Sequence, residues 1–167
     1  MKIINRKARF NYQILESFEG RSQMKIINRK ARFNYQILES FEVGIVLSGA
    51  EVKAVRAGDI NLTNSFAKII NGEAYLVNAI INPKNTFPSD TARARKLLLH
   101  KKEIGKIETQ LKAKKLTLVP ISIYTRGQLV KVKIALAKSK KKHEKRESIK
   151  KRGLFDKLQA DFDSLSL

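Results

Sequence analysis

The sequence predicts a mainly β protein with helices: a small antiparallel OB-like β-barrel of about six strands and two to three helices, followed by a basic C-terminal tail. Two pairs of apolar, alternating segments meet at short turns, Asn71-Gly72 and Arg126-Gly127. Asn-Gly is a strong hairpin signal because both positions accept a positive φ. Ser48 followed three residues later by Glu51 has the spacing of a capping box and opens a helix between strands. At 167 residues the chain has enough length for one domain with a core, plus tails. Closure into a barrel would also protect the strand edges.

In order, Asn34 to Phe41 alternates as a first strand. Gly49 to Arg56 reads as a helix that turns Val52 and Val55 inward and ends at Gly58. The first hairpin is Asn64–Ile70 with Glu73–Ile81, and Pro83 to Asp90 is a loop. Leu97, Ile104, Ile107 and Leu111 recur at helical spacing, so Ala94 to Ile107 is read as a helix. Leu116–Tyr124 and Leu129–Ala137 form the second hairpin.

Residues 1–19, MKIINRKARFNYQILESFE, recur unchanged as residues 24–42, with Gly20-Arg21-Ser22-Gln23 between them. Structural repeats stack on one another and usually drift in sequence. Two identical copies with one continuation, Val43 onward, read as a duplication and not as a fold. Tyr12–Leu15 and Tyr35–Leu38 encode the same strand, and one sheet slot holds one of them. The second copy is expected to win, since its link to the downstream chain closes no extra loop. The expected organisation is an extension at 1–23, disordered or added to a sheet edge, a barrel at 24–137 and a tail at 138–167.

A formal net charge of +20 and a pI near 10.3 favour a phosphate-rich partner through counterion release. The absence of Cys excludes disulfides, Cys-ligated zinc and thiol catalysis. His100 and His143 are the only histidines, and no carboxylates cluster at metal-ligand spacing. No acid–base pair, metal or cofactor is therefore expected. No apolar run approaches the ~20 residues that span a bilayer. MKIINRKARF carries charge where a signal peptide would be apolar. These features predict a soluble, cytoplasmic protein. Lys138 to Arg152 holds nine Lys or Arg against two Glu, a net +7, and such an arm suits RNA.

Several strings then coincide in order: Asn28-Arg29-Lys30-Ala31-Arg32, Phe41-Glu42-Val43-Gly44-Ile45, Gly49-Ala50-Glu51-Val52-Lys53 and Arg56-Ala57-Gly58. Arg93-Ala94-Arg95-Lys96-Leu97-Leu98-Leu99-His100 and His143-Glu144-Lys145-Arg146 come after them. Over residues 24–152 the chain closely resembles the SsrA-binding protein (SmpB) family, partners of transfer-messenger RNA. The resemblance implies trans-translation, the rescue of ribosomes stalled on messages without a stop codon. The barrel would bind the tRNA-like domain of the RNA, and the tail would probe the empty mRNA channel near the small-subunit decoding centre. Alanyl-tRNA synthetase and an elongation factor would be partners through the RNA complex, and the protein itself would be no enzyme.

The resemblance assigns RNA binding to Asn28, Arg29, Glu42, Leu98 and Lys131. Asn28 would offer donor and acceptor to a base or ribose edge. Arg29 and Lys131 would neutralise phosphates, with Lys30, Arg32 and Lys133 extending the patch. Glu42 would accept from a ribose hydroxyl or base amino group, or hold a basic side chain, or simply be solvated. Leu98 either packs beneath the RNA surface or touches it. Glu51 reads as an ordinary capping carboxylate. Arg93, Arg95 and Lys96, cations at a helix start, read as lining the RNA, because they oppose the helix dipole unless an anion binds.

In the tail, His143 matches the family's histidine and would stack on an exposed rRNA base. Lys140, Lys141, Lys142, Lys145, Arg146 and Lys150 would meet rRNA phosphates, with Ile149 among them. Free, the arm would be disordered, and helical where a ribosome supplies counter-charge. Ser139 replaces the family's usual Gly before the basic cluster. Beyond Gly153 the chain turns acidic, with Leu154, Leu158, Phe162 and Leu165 at helical spacing. The alternatives are a generic OB-type RNA-binding or ribosome-associated barrel, a nuclease, or a membrane-surface protein. The histidine count opposes the nuclease, and the tail lacks the apolar face that membrane binding needs.

Deleting residues 1–23 is expected to leave affinity for the tRNA-like RNA unchanged or improved in an equilibrium binding assay. A large loss would make the first copy part of the function.

Overall fold

Alternation along one strand decides which way the sheet curls. In β10 (Leu129–Ser139), Val130, Val132, Ile134 and Leu136 are all buried on one face. Lys131, Lys133, Ala135 and Ala137 occupy the other. Closing the sheet around the first set makes the core.

The computed structural model describes residues 12–15, 23–83, 91–151 and 153. The other described strands are β1 (Tyr12–Leu15), β2 (Gln23–Ile27), β3 (Tyr35–Ile45), β4 (Ile60–Asn61), β5 (Phe66–Ile70), β6 (Glu73–Val77), β7 (Ile80–Ile81), β8 (Arg95–Leu98) and β9 (Thr117–Arg126). The helices are α1 (Arg29–Asn34), α2 (Gly49–Ala57), α3 (Lys101–Lys114) and α4 at 142–151.

Neighbouring strands run β9-β10-β3-β8-β6-β5, and a β5–β9 pairing at Ala67↔Leu118 closes the ring. All the pairings are antiparallel. This is the OB-like barrel the sequence predicts. β2 pairs with the far half of β9, and β1 lies antiparallel on β2. Thus the second copy supplies β3 within the ring, and the identical Tyr12–Leu15 stretch lies at the outer edge. The barrel interior holds Val55 of α2, Ile107 of α3, and Leu76, Leu97, Ile123 and Ile134 from the strands.

Both hairpins form where expected. Asn71 and Gly72 have φ of 52° and 74°, and Gly127 has 60°. The reading of Glu73–Ile81 as one strand is corrected: Asn78, at φ 58°, breaks it into β6 and β7, and β7 pairs with β4 instead. α2 has the full capping box, with Ser48 Oγ accepting from Glu51 N and Ser48 N donating to Glu51 Oε2. Gly58 ends it at φ 84°.

Three elements differ from the sequence reading. β2 and α1 precede the expected first strand. The helix expected from Ala94 starts only at Lys101, because Arg95–Leu98 is strand β8, paired with both β3 and β6. Arg95 and Leu97 point inward, and Lys96 and Leu98 outward. Leu97 and Ile104 therefore share a core without sharing a helix.

Arg95 is fully buried, at 0 % exposure. Its Nε donates to Glu51 Oε1 (2.9 Å), its Nη1 to the carbonyls of Ala79 (2.6 Å) and Arg93 (2.9 Å), and its Nη2 to that of Thr91 (2.8 Å). Arg93 makes two further bonds to the Glu51 carboxylate, at 2.9 and 2.5 Å. Burial pushes the Glu51 carboxyl up, but hydrogen bonds from Arg93, the Ser48 backbone and Arg95 outweigh it and lower its pKa to about 2.

A carboxyl lowered on folding stabilises the protein above its unfolded pKa, and that stability disappears as pH falls through the folded value. The Glu51 contribution, about 3 kcal/mol, is accordingly expected to vanish between about pH 5 and pH 2. Glu51→Gln, which leaves Arg95 buried without its anion, is expected to cost about 3–5 kcal/mol in denaturant unfolding at pH 7. A loss under about 1 kcal/mol would show that the cluster is not coupled to folding.

Candidate nucleic-acid interface

Register places the candidate residues. On the outside of the barrel Lys131 lies opposite Gly44 of β3 and Tyr124 of β9, while Lys133 lies opposite Glu42 and Ser122. Gly44 also pairs with Leu98 of β8. A Cβ at Gly44 would sit 3.2 Å from Leu98 Cδ1, so the leucine lies over the bare glycine backbone. Leu98 is 55 % exposed: it is a surface group supported from beneath, not a core residue. Glu42, Leu98, Lys131 and Lys133 thus share one outer face, with Lys25 of β2 opposite Tyr124 at its margin.

Glu42 is held in place on this face. Lys131 Nζ donates to its Oε1 at 2.6 Å, and the Tyr124 hydroxyl helps to hold the same carboxylate ionised. The Lys131 and Tyr124 bonds keep the carboxyl below the usual range. Burial, then the bond to Glu42, push the Tyr124 hydroxyl up to about 12. At neutral pH the group is a carboxylate, a cation and a phenol that keeps its proton. It offers acceptor oxygens and positive charge. Tyr124 went unnoticed in the sequence, where the signal available was its alternation with Ile123 along β9.

α1 extends the same face. Ala31 packs on Val119 and Ala137, outward-facing residues of β9 and β10 further along the strands from Lys133. This carries Arg29, Lys30 and Arg32 onto the outer surface. Asn28 is different, and the expectation that it offers its amide to RNA is corrected. It is 5 % exposed. Its Oδ1 caps α1 by accepting from Ala31 N at 3.0 Å, and its Nδ2 donates to Leu62 O (2.8 Å) and Pro120 O (3.0 Å). Both amide hydrogens are used inside the fold. Asn28 fixes the helix that bears the cations.

One cation leaves the expected RNA surface, since Arg95 is internal. Arg93 bonds to Glu51 but stays 43 % exposed, and neither belongs to a helix start. Lys96 is outward but ion-pairs with Glu73.

The tail root is structured. β10 runs to Ser139, and Lys140 N donates to Asn34 O at 2.9 Å. Lys141 N donates to Glu144 Oε2 at 2.7 Å, half of a capping box, and α4 begins there. A crevice lined by Gln36, Lys140, Glu144, Glu147, Ser148 and Lys151 lies between α4 and the start of β3. Lys142, His143, Arg146, Ile149 and Lys150 are exposed, whereas Glu144 and Lys145 are partly covered. The acidic end expected to form an apolar stripe beyond Gly153 lies outside the described residues. Among the described residues no cluster of His, Asp or Glu could hold a metal, and no helix is long and apolar enough to cross a membrane.

Known proteins resemble this chain in sequence and fold. The family model described as SmpB protein matches residues 25–163. The chain is 52 % identical over 152 residues to the SsrA-binding protein of Thermosynechococcus vestitus, covering 89 % of this chain and 85 % of that one. The SsrA-binding protein of Gloeothece citriformis is 50 % identical over 152 residues, covering 89 % and 83 %. That of Helicobacter hepaticus is 49 % identical over 165 residues, covering 96 % and 92 %. A solved chain described under "tmRNA-SmpB: a journey to the center of the bacterial ribosome" superposes with a TM-score of 0.60 at 42 % identity, over 75 % of this chain and 94 % of that one.

Tyr124→Phe removes the hydroxyl that, with Lys131, holds the Glu42 carboxyl below its usual range. The Glu42 carboxyl, followed by NMR titration, is expected to titrate at higher pH in the variant than in the parent, and Lys131→Ala is expected to raise it further. Identical titration curves would dismiss the hydroxyl as a partner.

Proposed function

Because the chain belongs to the SmpB protein family, we propose that it binds the tRNA-like domain of transfer-messenger RNA and carries that RNA into stalled ribosomes. The observation that carries the reading is the meeting of Glu42, Leu98 and Lys131 around Gly44, with Lys133 and the α1 cations on the same face. Such a face recognises a folded RNA by several means at once. Lys131, Lys133, Arg29, Lys30 and Arg32 meet phosphates. The anchored Glu42 carboxylate accepts from a 2′-hydroxyl or an exocyclic amino group, and Leu98 packs on a sugar or base. The carboxylate also adds selectivity, since it repels phosphate at the one place where a base or ribose edge must lie.

The tail has a second, separable role in the small-subunit mRNA channel near the decoding centre. α4 turns Lys142, His143, Arg146, Ile149 and Lys150 outward, so the cations and the stacking histidine are presented together. Alanyl-tRNA synthetase and the elongation factor act on the RNA and reach this protein through it. The protein does no chemistry, and its place is the cytoplasm, where its RNA and ribosomes are.

Equilibrium competition between the tRNA-like domain and an unstructured RNA of equal length, at physiological salt, tests the first role. Strong preference for the folded RNA is expected, and equal binding would reduce the protein to a generic basic barrel. A stop after Lys140 spares the β10 ladder and its bond to Asn34. It is expected to keep binding within about threefold while abolishing peptide tagging on stalled ribosomes. Collapse of binding would mean that the tail belongs to the RNA interface.

A further inference from the structure

Beside α1, at the end away from Lys133, the outer face dips into a crevice of about 160 Å³ that lies apart from Glu42, Leu98 and Lys131. Its walls have two characters. Tyr35, Phe66, Ala31 and Val119 supply apolar and aromatic surface, while Asn34, Asn64, Thr117 and Lys30 bring polar groups to it. The Asn34 amide and the hydroxyls of Tyr35 and Thr117 have no hydrogen-bond partner among the described residues. Asn64 is preset: its backbone is left-handed at φ 64°, and Lys30 Nζ donates to its Oδ1 at 3.0 Å. The lysine can only donate, so the Asn64 amide must keep its N–H groups for another acceptor.

Flat apolar walls with a few aimed donors and acceptors suit a planar heteroaromatic ligand. The surroundings say what that ring is attached to. Lys30 stands at the crevice, Arg29 and Arg32 lie on the same short helix, and the Lys140 ammonium donates to Arg32 O at 3.3 Å. A base held here would have its flanking phosphates among these cations. We propose that the crevice between α1 and the start of β5 receives one unstacked base of the bound RNA, a contact additional to the Glu42–Leu98–Lys131 face and resting on the RNA-binding reading. Lys30 links the two parts, by meeting a phosphate and by orienting Asn64 toward the base.

Two variants test this with little risk to the fold. Asn64→Gly removes the amide and leaves a residue that tolerates the left-handed backbone. Thr117→Val removes the hydroxyl and keeps the shape. With the tRNA-like domain of transfer-messenger RNA as probe, each is expected to weaken binding about tenfold, the usual scale of a base contact. The salt dependence should stay unchanged, because no phosphate contact is lost. Chemical probing of the complex should show one base protected by the parent and by Lys131→Ala, but exposed in both crevice variants.

Binding within about twofold of the parent and an unaltered protection pattern, in variants that melt like the parent, would overturn the proposal. An effect of Asn64→Gly that vanishes in the chain stopped after Lys140 would put the protein's own tail in the crevice, and would also overturn it. If the parent itself shows no preference for the tRNA-like fold, the functional reading fails first, and the base site with it.

Discussion

The buried pairing of Glu51 with Arg95 is the constraint on which the outer face depends. An arginine at 0 % exposure is expensive unless every donor finds a partner. Here Nε takes the carboxylate, and Nη1 and Nη2 take three carbonyls of the segments around it. Lysine could not replace it, since its point charge lacks the planar fork. The pairing ties α2 to the β8 strand. It also sets the strand's parity: with Arg95 inward, Leu97 must be inward, and Lys96 and Leu98 must face out. Leu98 is turned outward because a charged side chain is anchored on the opposite face of the same strand.

The other half of that face is set by β10. Its inner set is uninterrupted, so its outer set cannot slip without exposing Val132, Ile134 and Leu136. That rigidity holds Lys131 and Lys133 beside Glu42, and it gives α1 a fixed floor on Ala137 and Val119. The register shifts in the neighbouring ladders, at Leu136/Ala137 and Lys133/Ile134, absorb the curvature of a small barrel without disturbing β10 itself. The outer face thus rests on apolar packing one residue away from each of its charged side chains.

Much of this was legible where the chemistry is local. Asn71-Gly72, the Ser48–Glu51 box and Gly58 each name their own backbone conformation, and each stands where expected. The matched motifs also singled out Glu42, Leu98 and Lys131, which register brings onto one outer face. What stayed hidden depended on distant partners. Leu97 and Ile104 mimic helical spacing because strand and helix pack on one core, and no local rule separates that from one helix. α1 has six residues, too few to show a period, and Asn28 looked like a base-reading group because its partners, Leu62 and Pro120, lie 34 and 92 residues away. Arg95 looked like an RNA contact for the same reason: its anion is 44 residues distant.

The duplication puts the same lesson in its sharpest form, because identical residues take different places. Tyr12–Leu15 and Tyr35–Leu38 have equal intrinsic preference for strand, yet one lies at the edge on β2 and the other in the ring against β10. The residues downstream of each copy decide between them. After the second come Val43, Gly44 and Ile45; Val43 and Ile45 are buried, and Gly44 carries Leu98. After the first come Gly20, Arg21 and Ser22. Placed in the ring, they would leave two core positions without apolar side chains and would set an arginine where even a Cβ meets Leu98 at 3.2 Å. Keeping Val43 onward in position instead would require looping out residues 20–42 in the middle of β3, which adds closure entropy and breaks the ladder with β10. Three residues beyond the repeat, and one glycine among them, therefore choose the copy that builds the outer face around Glu42 and Leu98.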